Sequence, residues 1–173
     1  MSDKKRSDHL LHILAAKKAA AVAHIKGDSS HPRLRGTVKF YKLKEGVMVV
    51  AECKGLPIEP GSCTNRVHGF HIHSGGSCCG TTANPFAGAD GHYNPEACPH
   101  PDHAGDMPPL FATGTGQAFG AFLSDRFTIR QIIGKTVVVH ANADDFTSQP
   151  SGNAGAMIGC GVINPSNKKL HTP

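Results

Sequence analysis

From about Ala20 onward the apolar and β-branched positions come in short runs, each closed by Gly, Pro, Asn or Asp. Val38-Lys39-Phe40 and Val47–Ala51 are two such runs, with Lys44-Glu45-Gly46 as the turn between them. Gly55 to Gly61 reads as a loop, and Val67–His73, Ala118–Leu123, Phe127–Ile129 and Thr136–His140 as further strands. Many short strands at roughly 8–12-residue spacing, punctuated by turn residues, predict an all-β antiparallel sandwich or barrel. A chain of 173 residues holds one such core.

Two segments break the strand pattern. Residues 74–117 and 141–156 are dense in Gly, Pro and Asn. Loops of that length in a compact domain are usually functional or disordered. The start of the chain differs again. Leu10, Leu11, Ile13 and Leu14 make a short apolar run that His12 interrupts and Lys17-Lys18 closes. Such a run barely reaches the length of a secretory core of about 7–15 residues. Residues 1–19 therefore read as a helix-prone extension of a cytoplasmic protein, with a secreted or periplasmic protein as the alternative, and residues 20–173 as one domain. No run approaches the roughly 20 apolar residues of a membrane span, so no membrane partner is expected.

Charge changes this picture little. Of the net +5, residues 1–18 hold five Lys and Arg against two Asp, which is +3 and leaves +2 for the rest. With no Trp and 2 Tyr there is no aromatic surface on which bases would stack, so no specific nucleic-acid partner is expected. Histidine changes it greatly: 12 His stand beside 6 Cys, far more imidazole than a core uses.

His71 and His73 are two residues apart, which on a strand places both rings on one face and turns Phe70 and Ile72 to the other. His92, His100, His103 and Asp106 follow in the long loop, and three imidazoles with a carboxylate make a closed four-ligand set suited to Zn²⁺. His140 ends a strand far away in sequence. An all-imidazole set of His71, His73, His92 and His140 suits tetragonal Cu(II). Solvated histidines in a polar loop are the plain alternative.

The stretch His68-Gly69-Phe70-His71-Ile72-His73, then Gly91-His92-Tyr93-Asn94-Pro95, His103-Ala104-Gly105-Asp106, Val138-Val139-His140 and Gly159-Cys160-Gly161-Val162-Ile163 resembles the Cu/Zn superoxide dismutase family. The blocks keep the family's order from about Ala20 to Asn164. The resemblance implies an eight-stranded antiparallel Greek-key β-barrel, an immunoglobulin-like sandwich with two long functional loops. It implies copper on His71, His73, His92 and His140, and zinc on His92, His100, His103 and Asp106, with His92 as bridge and proton donor. Asp144 looks like the carboxylate that links a copper ligand to a zinc ligand. The implied reaction takes superoxide to O₂ and H₂O₂ by alternate reduction and oxidation of the copper. A superoxide dismutase-like metal-binding domain without activity is the first alternative, and a zinc-only structural module the second.

The resemblance also implies a disulfide from Cys160 to the loop after the copper strand, where Cys78 has the matching spacing and Cys79 is adjacent. Cys98 is a competing zinc ligand, a Cys79–Cys98 bridge is a further option, and Cys53 and Cys63 read as semi-buried thiols. Ile132-Ile133-Gly134-Lys135, with the residues near Gly161–Ile163, is similar to the family's eukaryotic dimer contact, which implies a homodimer. The sequence identifies no copper donor. One position departs: where the family has an anion-guiding arginine, three residues before Cys160, this chain has Met157.

Overall fold

The computed structural model describes residues 18–61 and 64–166. The extension before Lys18 and Cys63 lie outside the described residues. Along the chain run β1 (Ala21–Gly27), β2 (Arg35–Lys42), β3 (Val47–Lys54), β4 (Val67–His68), β5 (Phe70–His73), β6 (Leu110–Phe111), β7 (Ala118–Ser124), a short helix α1 (Ile129–Ile132), β8 (Thr136–His140) and β9 (Met157–Pro165). All strand pairings are antiparallel.

Seven strands form one curled sheet in the order β5-β8-β9-β1-β2-β3-β7, and β4 pairs with β6. The small ribbon spans the gap between the two edges of the large sheet. At one edge β4 runs through Gly69 directly into β5, and at the other β6 lies beside β7. Counting the interrupted Val67–His73 strand once, the described residues make the eight strands of the expected barrel. Alternate residues fill its interior: Ala21, Ala23, Ile25, Val38, Phe40, Val49, Phe70, Ile72, Val137, Val139 and Ile163 are all buried in one cluster.

Several local expectations are corrected. Phe127–Ile129 is not a strand: the Thr128 N–H and Oγ–H both donate to Gln131 Oε1 at 2.8 Å, and this side-chain cap starts α1 at Ile129. β1 escaped the reading because its inward positions are Ala21, Ala23 and Ile25, too weakly apolar to stand out. β9 escaped it because glycines interrupt its middle. The 74–117 loop holds the two residues of β6.

The loops lie against one outer patch of the barrel. Cross-strand register puts His71 opposite Val138 and Val138 opposite Cys160, so these side chains share the outer face of β5, β8 and β9. The first loop returns antiparallel to β5: Ile72 N–H donates to Gly105 O, Tyr93 N–H to Ile72 O, and Gly105 N–H to Tyr93 O, each at 2.8 Å. Phe86 and Ala89 pack on Val138 and Cys160, and the Cys78–Cys160 disulfide fastens the same stretch to β9. Cys79, Cys53 and Cys98 are free thiols, so the Cys79–Cys98 bridge does not form.

Candidate metal centre

His71 and His73 leave β5 on the barrel's outer face but are covered by the loop, at 0% and 3% exposure. Solvated histidines are thereby excluded at these positions. A bulge between Val139 and His140 breaks the β8–β9 register and pairs His140 with Met157, so the last ring of β8 is re-aimed at the edge of the strand. His92 follows a bridge that sets it opposite His73, and Asp106 lies opposite His71. Two groups of converging ligand atoms result: His71, His73, His92 and His140, and His92, His100, His103 and Asp106. His92 belongs to both. Cys98 belongs to neither; its backbone is bracketed by the Asn94 amide at 2.8 and 2.9 Å.

Hydrogen bonds fix which nitrogen is free in every ring of the two groups but His103. His71 Nε2–H donates to Asp144 Oδ2 at 2.7 Å, and His100 Nε2–H to Asp144 Oδ1 at 2.9 Å. One carboxylate thus ties a ring of the first group to a ring of the second and leaves both Nδ1 lone pairs facing inward. Those two atoms, His71 Nδ1 and His100 Nδ1, are buried and have no hydrogen-bond partner; the same holds for His92 Nε2. His73 Nδ1–H donates to Asp90 O at 2.6 Å and His140 Nδ1–H to Gly155 O at 3.1 Å, so their Nε2 lone pairs meet at 3.3 Å. Lone pairs brought together in a dry pocket repel unless a cation lies among them.

The second group has tetrahedral dimensions. His100 Nδ1 to Asp106 Oδ2 is 3.0 Å, His103 Nδ1 to Asp106 Oδ2 is 3.2 Å, and His103 Nδ1 to His92 Nδ1 is 3.4 Å. A tetrahedron with ligands at about 2.0–2.1 Å has edges of about 3.3 Å, which is the zinc geometry. His100 Nδ1 and Asp106 are close without forming a hydrogen bond, as two ligands of one ion would be.

Protonation states agree with ligation. Burial pushes the His73 and His140 imidazoles down to about 3, and lowers His71 as well. Neutral imidazole is the ligating form. Burial alone would raise the carboxyls, but hydrogen bonds from His71, Phe146 N–H and His100 hold Asp144 well below the usual range, and the hydrogen bond from His92 lowers Asp106. Gly152 lies against this link with φ +66°, and a side chain there would overlap Asp144 and His100.

Sequence reasoning missed the backbone partners. The carbonyls of Asp90 and Gly155 orient rings of the first group, and carbonyls carry no residue-type signature. Met157 lines the cleft into which His73, His92 and His140 open.

Comparison with known proteins follows the same lines. Residues 34–163 match the family described as copper/zinc superoxide dismutase. A Cu-Zn superoxide dismutase of Photobacterium leiognathi is 35% identical over 141 residues, covering 74% of this chain and 78% of that protein. A Cu-Zn superoxide dismutase of Aquifex aeolicus is 32% identical over 168 residues, covering 89% and 93%. An extracellular Cu-Zn superoxide dismutase of Brugia pahangi is 32% identical over 166 residues, covering 85% and 76%.

Proposed function

The chain belongs to the copper/zinc superoxide dismutase family and is an oxidoreductase that turns superoxide into O₂ and H₂O₂ with copper and zinc as its metals; from this premise we propose which of its residues do the work. Copper is held by His71 Nδ1 and the Nε2 atoms of His73, His92 and His140. Zinc is held by the Nδ1 atoms of His92, His100 and His103 with Asp106. The observation that carries this assignment is the set of tautomers, which leaves His71 Nδ1, His73 Nε2, His92 Nε2, His100 Nδ1 and His140 Nε2 as inward lone pairs; His92 Nδ1 and His103 Nδ1 lie beside Asp106 at 2.8 and 3.2 Å, where they would complete the zinc set once free of a proton.

Bound copper supplies the one-electron couple, which zinc cannot. The residues supply the rest. His71, His73 and His140 are locked in orientation by Asp144, Asp90 O and Gly155 O, so little reorganisation accompanies a change of charge at the site. His92 lines the cleft, and its Nε2, whenever it is free of copper, would hold a proton and give it to the departing peroxide as a general acid. Asp106 Oδ1, 2.8 Å from His92 Nδ1, holds that ring in place at the cleft. Met157 sits on the cleft without charge or hydrogen-bond donor, which supports a slower capture of the substrate anion than an arginine there would give.

The chain acts as a homodimer through Ile132–Lys135 and the Gly161–Ile163 region. Gly134 N–H donates to Ile163 O at 2.9 Å and Ile163 N–H to Lys135 O at 2.8 Å, which joins the two segments into one surface. The apolar run broken by His12 supports a cytoplasmic location over export. Metal content per chain, measured beside superoxide consumption, tests the enzyme assignment. The expected result is one copper, one zinc and consumption that disappears with copper. Both metals bound with no consumption would indicate the non-catalytic alternative.

A further inference from the structure

The cleft leading to the copper-group histidines has a volume of about 650 Å³, and its lining includes a single Lys, Arg, Asp or Glu side chain, Asp90. The two loops that build the cleft contain no Lys or Arg, but they contain six carboxylates: Asp90, Glu96, Asp102, Asp106, Asp144 and Asp145. Asp106 and Asp144 are committed to the histidines. Arg126 reaches the first loop from the barrel, yet it is spent on Pro101 O at 2.9 Å and on the exposed Asp102 at 3.4 Å.

Asp90 is exposed, and its backbone is held tightly. Its N–H donates to Ala87 O at 3.2 Å, its carbonyl accepts from His73 at 2.6 Å, and its φ is +61°, where a non-glycine residue is uncommon. The carbonyl is needed to orient His73; the carboxylate is not. An acid at the mouth of a cleft with low-dielectric walls raises the local barrier to anions. We propose that Asp90 is a specificity-determining residue that opposes entry of the superoxide anion, holding down the encounter rate by a charge effect that salt screens. The proposal rests on copper lying among the histidines at the cleft floor.

The test compares metal-loaded wild type with Asp90→Asn, which keeps the shape and tolerates positive φ. A Glu45→Gln control removes one negative charge from the β2–β3 turn, away from the cleft. At ionic strength of about 0.01 M, where the Debye length is about 30 Å, Asp90→Asn is expected to raise kcat/KM about two- to fivefold. The gain shrinks toward unity at about 1 M salt, where that length is about 3 Å. Azide, a monovalent anion, is expected to bind the copper-loaded variant more tightly at low salt, by a similar factor, when titrated through the visible copper absorption. Asp90→Gly, which also relaxes the positive φ, is expected to reproduce both effects should Asp90→Asn bind copper poorly. An unchanged low-salt rate and azide affinity would overturn the proposal. So would a gain that salt leaves intact, or an equal gain in Glu45→Gln. Wild type that binds both metals and azide but consumes no superoxide would contradict the enzyme assignment, and the azide comparison would still judge Asp90.

Discussion

The barrel and the loops meet the same requirement, partners for polar groups, by opposite means. Across β2 and β3 the partners come from the fold itself: eight consecutive residue pairs from Arg35–Lys54 to Lys42–Val47 close one ladder. Any residue of suitable shape keeps such a ladder, since backbone groups do the bonding. In the loops the partners are particular side chains. Asp144 joins His71 to His100, Asp28 caps its own turn through Ser30 N–H and His31 N–H, and Asp145 collects Thr147 and Ser148. The barrel thus rests on pattern and the loops on identity, and the chemistry sits where identity matters.

Cutting the covalent tie between the two regions should have the largest effect on stability. Cys78 and Cys160 are 82 residues apart, and in the chain-entropy model a loop of that size contributes on the order of 4 kcal/mol. Replacing both by serine should lower the midpoint of denaturant unfolding and lower affinity for both metals, since the disulfide seats the first loop on β9. An unchanged midpoint would mean that the loop needs no covalent anchor.

Acid should separate the regions next. His73 and His140 titrate near 3 in the metal-free fold and near 6.5 when unfolded, so between those values the unfolded chain binds more protons. Stability of the metal-free protein is therefore full above about pH 6.5 and falls as pH drops toward 3. Urea unfolding at a series of pH values measures this slope. Replacing both histidines by glutamine should flatten it, whereas an unaltered slope would place the acid sensitivity elsewhere.

A smaller effect belongs to the link itself. Asp144→Asn keeps the shape but removes the charge that selects the Nδ1 lone pairs of His71 and His100. Zinc affinity should fall about 10–100-fold, as for other groups that orient a ligand, and the metal-free unfolding midpoint should drop as well, because the bonds that depress the Asp144 carboxyl also stabilise the fold. A variant that binds zinc like wild type would show that the loop holds these rings without Asp144. The smallest effect is at the cleft mouth. Met157→Arg should raise the superoxide rate at low salt several-fold and steepen its decline with ionic strength, leaving metal content intact. Rates and slopes identical to wild type would remove Met157 from the account of substrate capture.

How much was legible in the sequence follows the same division. The barrel class was readable from its punctuation, but β1 was not, because Ala21 and Ala23 bury as fully as Val38 and Phe40 while carrying little hydrophobic contrast. The strand expected at Phe127 gave way to α1 because the Gln131 side chain caps Thr128, a local bond that outcompetes β-branched composition. In the loops the converging side chains were readable, since histidine at a strand spacing of two and the His92, His100, His103, Asp106 series have few other uses than metal binding. The burial of His71 and His73 was not readable, because it depends on a loop folding back through Tyr93 and Gly105 backbone bonds. Nor was Asp90, whose carbonyl, not its carboxylate, touches His73.

The shared role of His92 is the central claim, and metal analysis of two variants tests it most directly. His92→Ala and His103→Ala are each refolded with both metals, and copper and zinc per chain are counted. Among the described residues His92 alone belongs to both ligand groups. His92→Ala is therefore expected to lose affinity for both metals, and His103→Ala chiefly for zinc. Zinc retained in full by His92→Ala, with copper lost equally from the two variants, would contradict it.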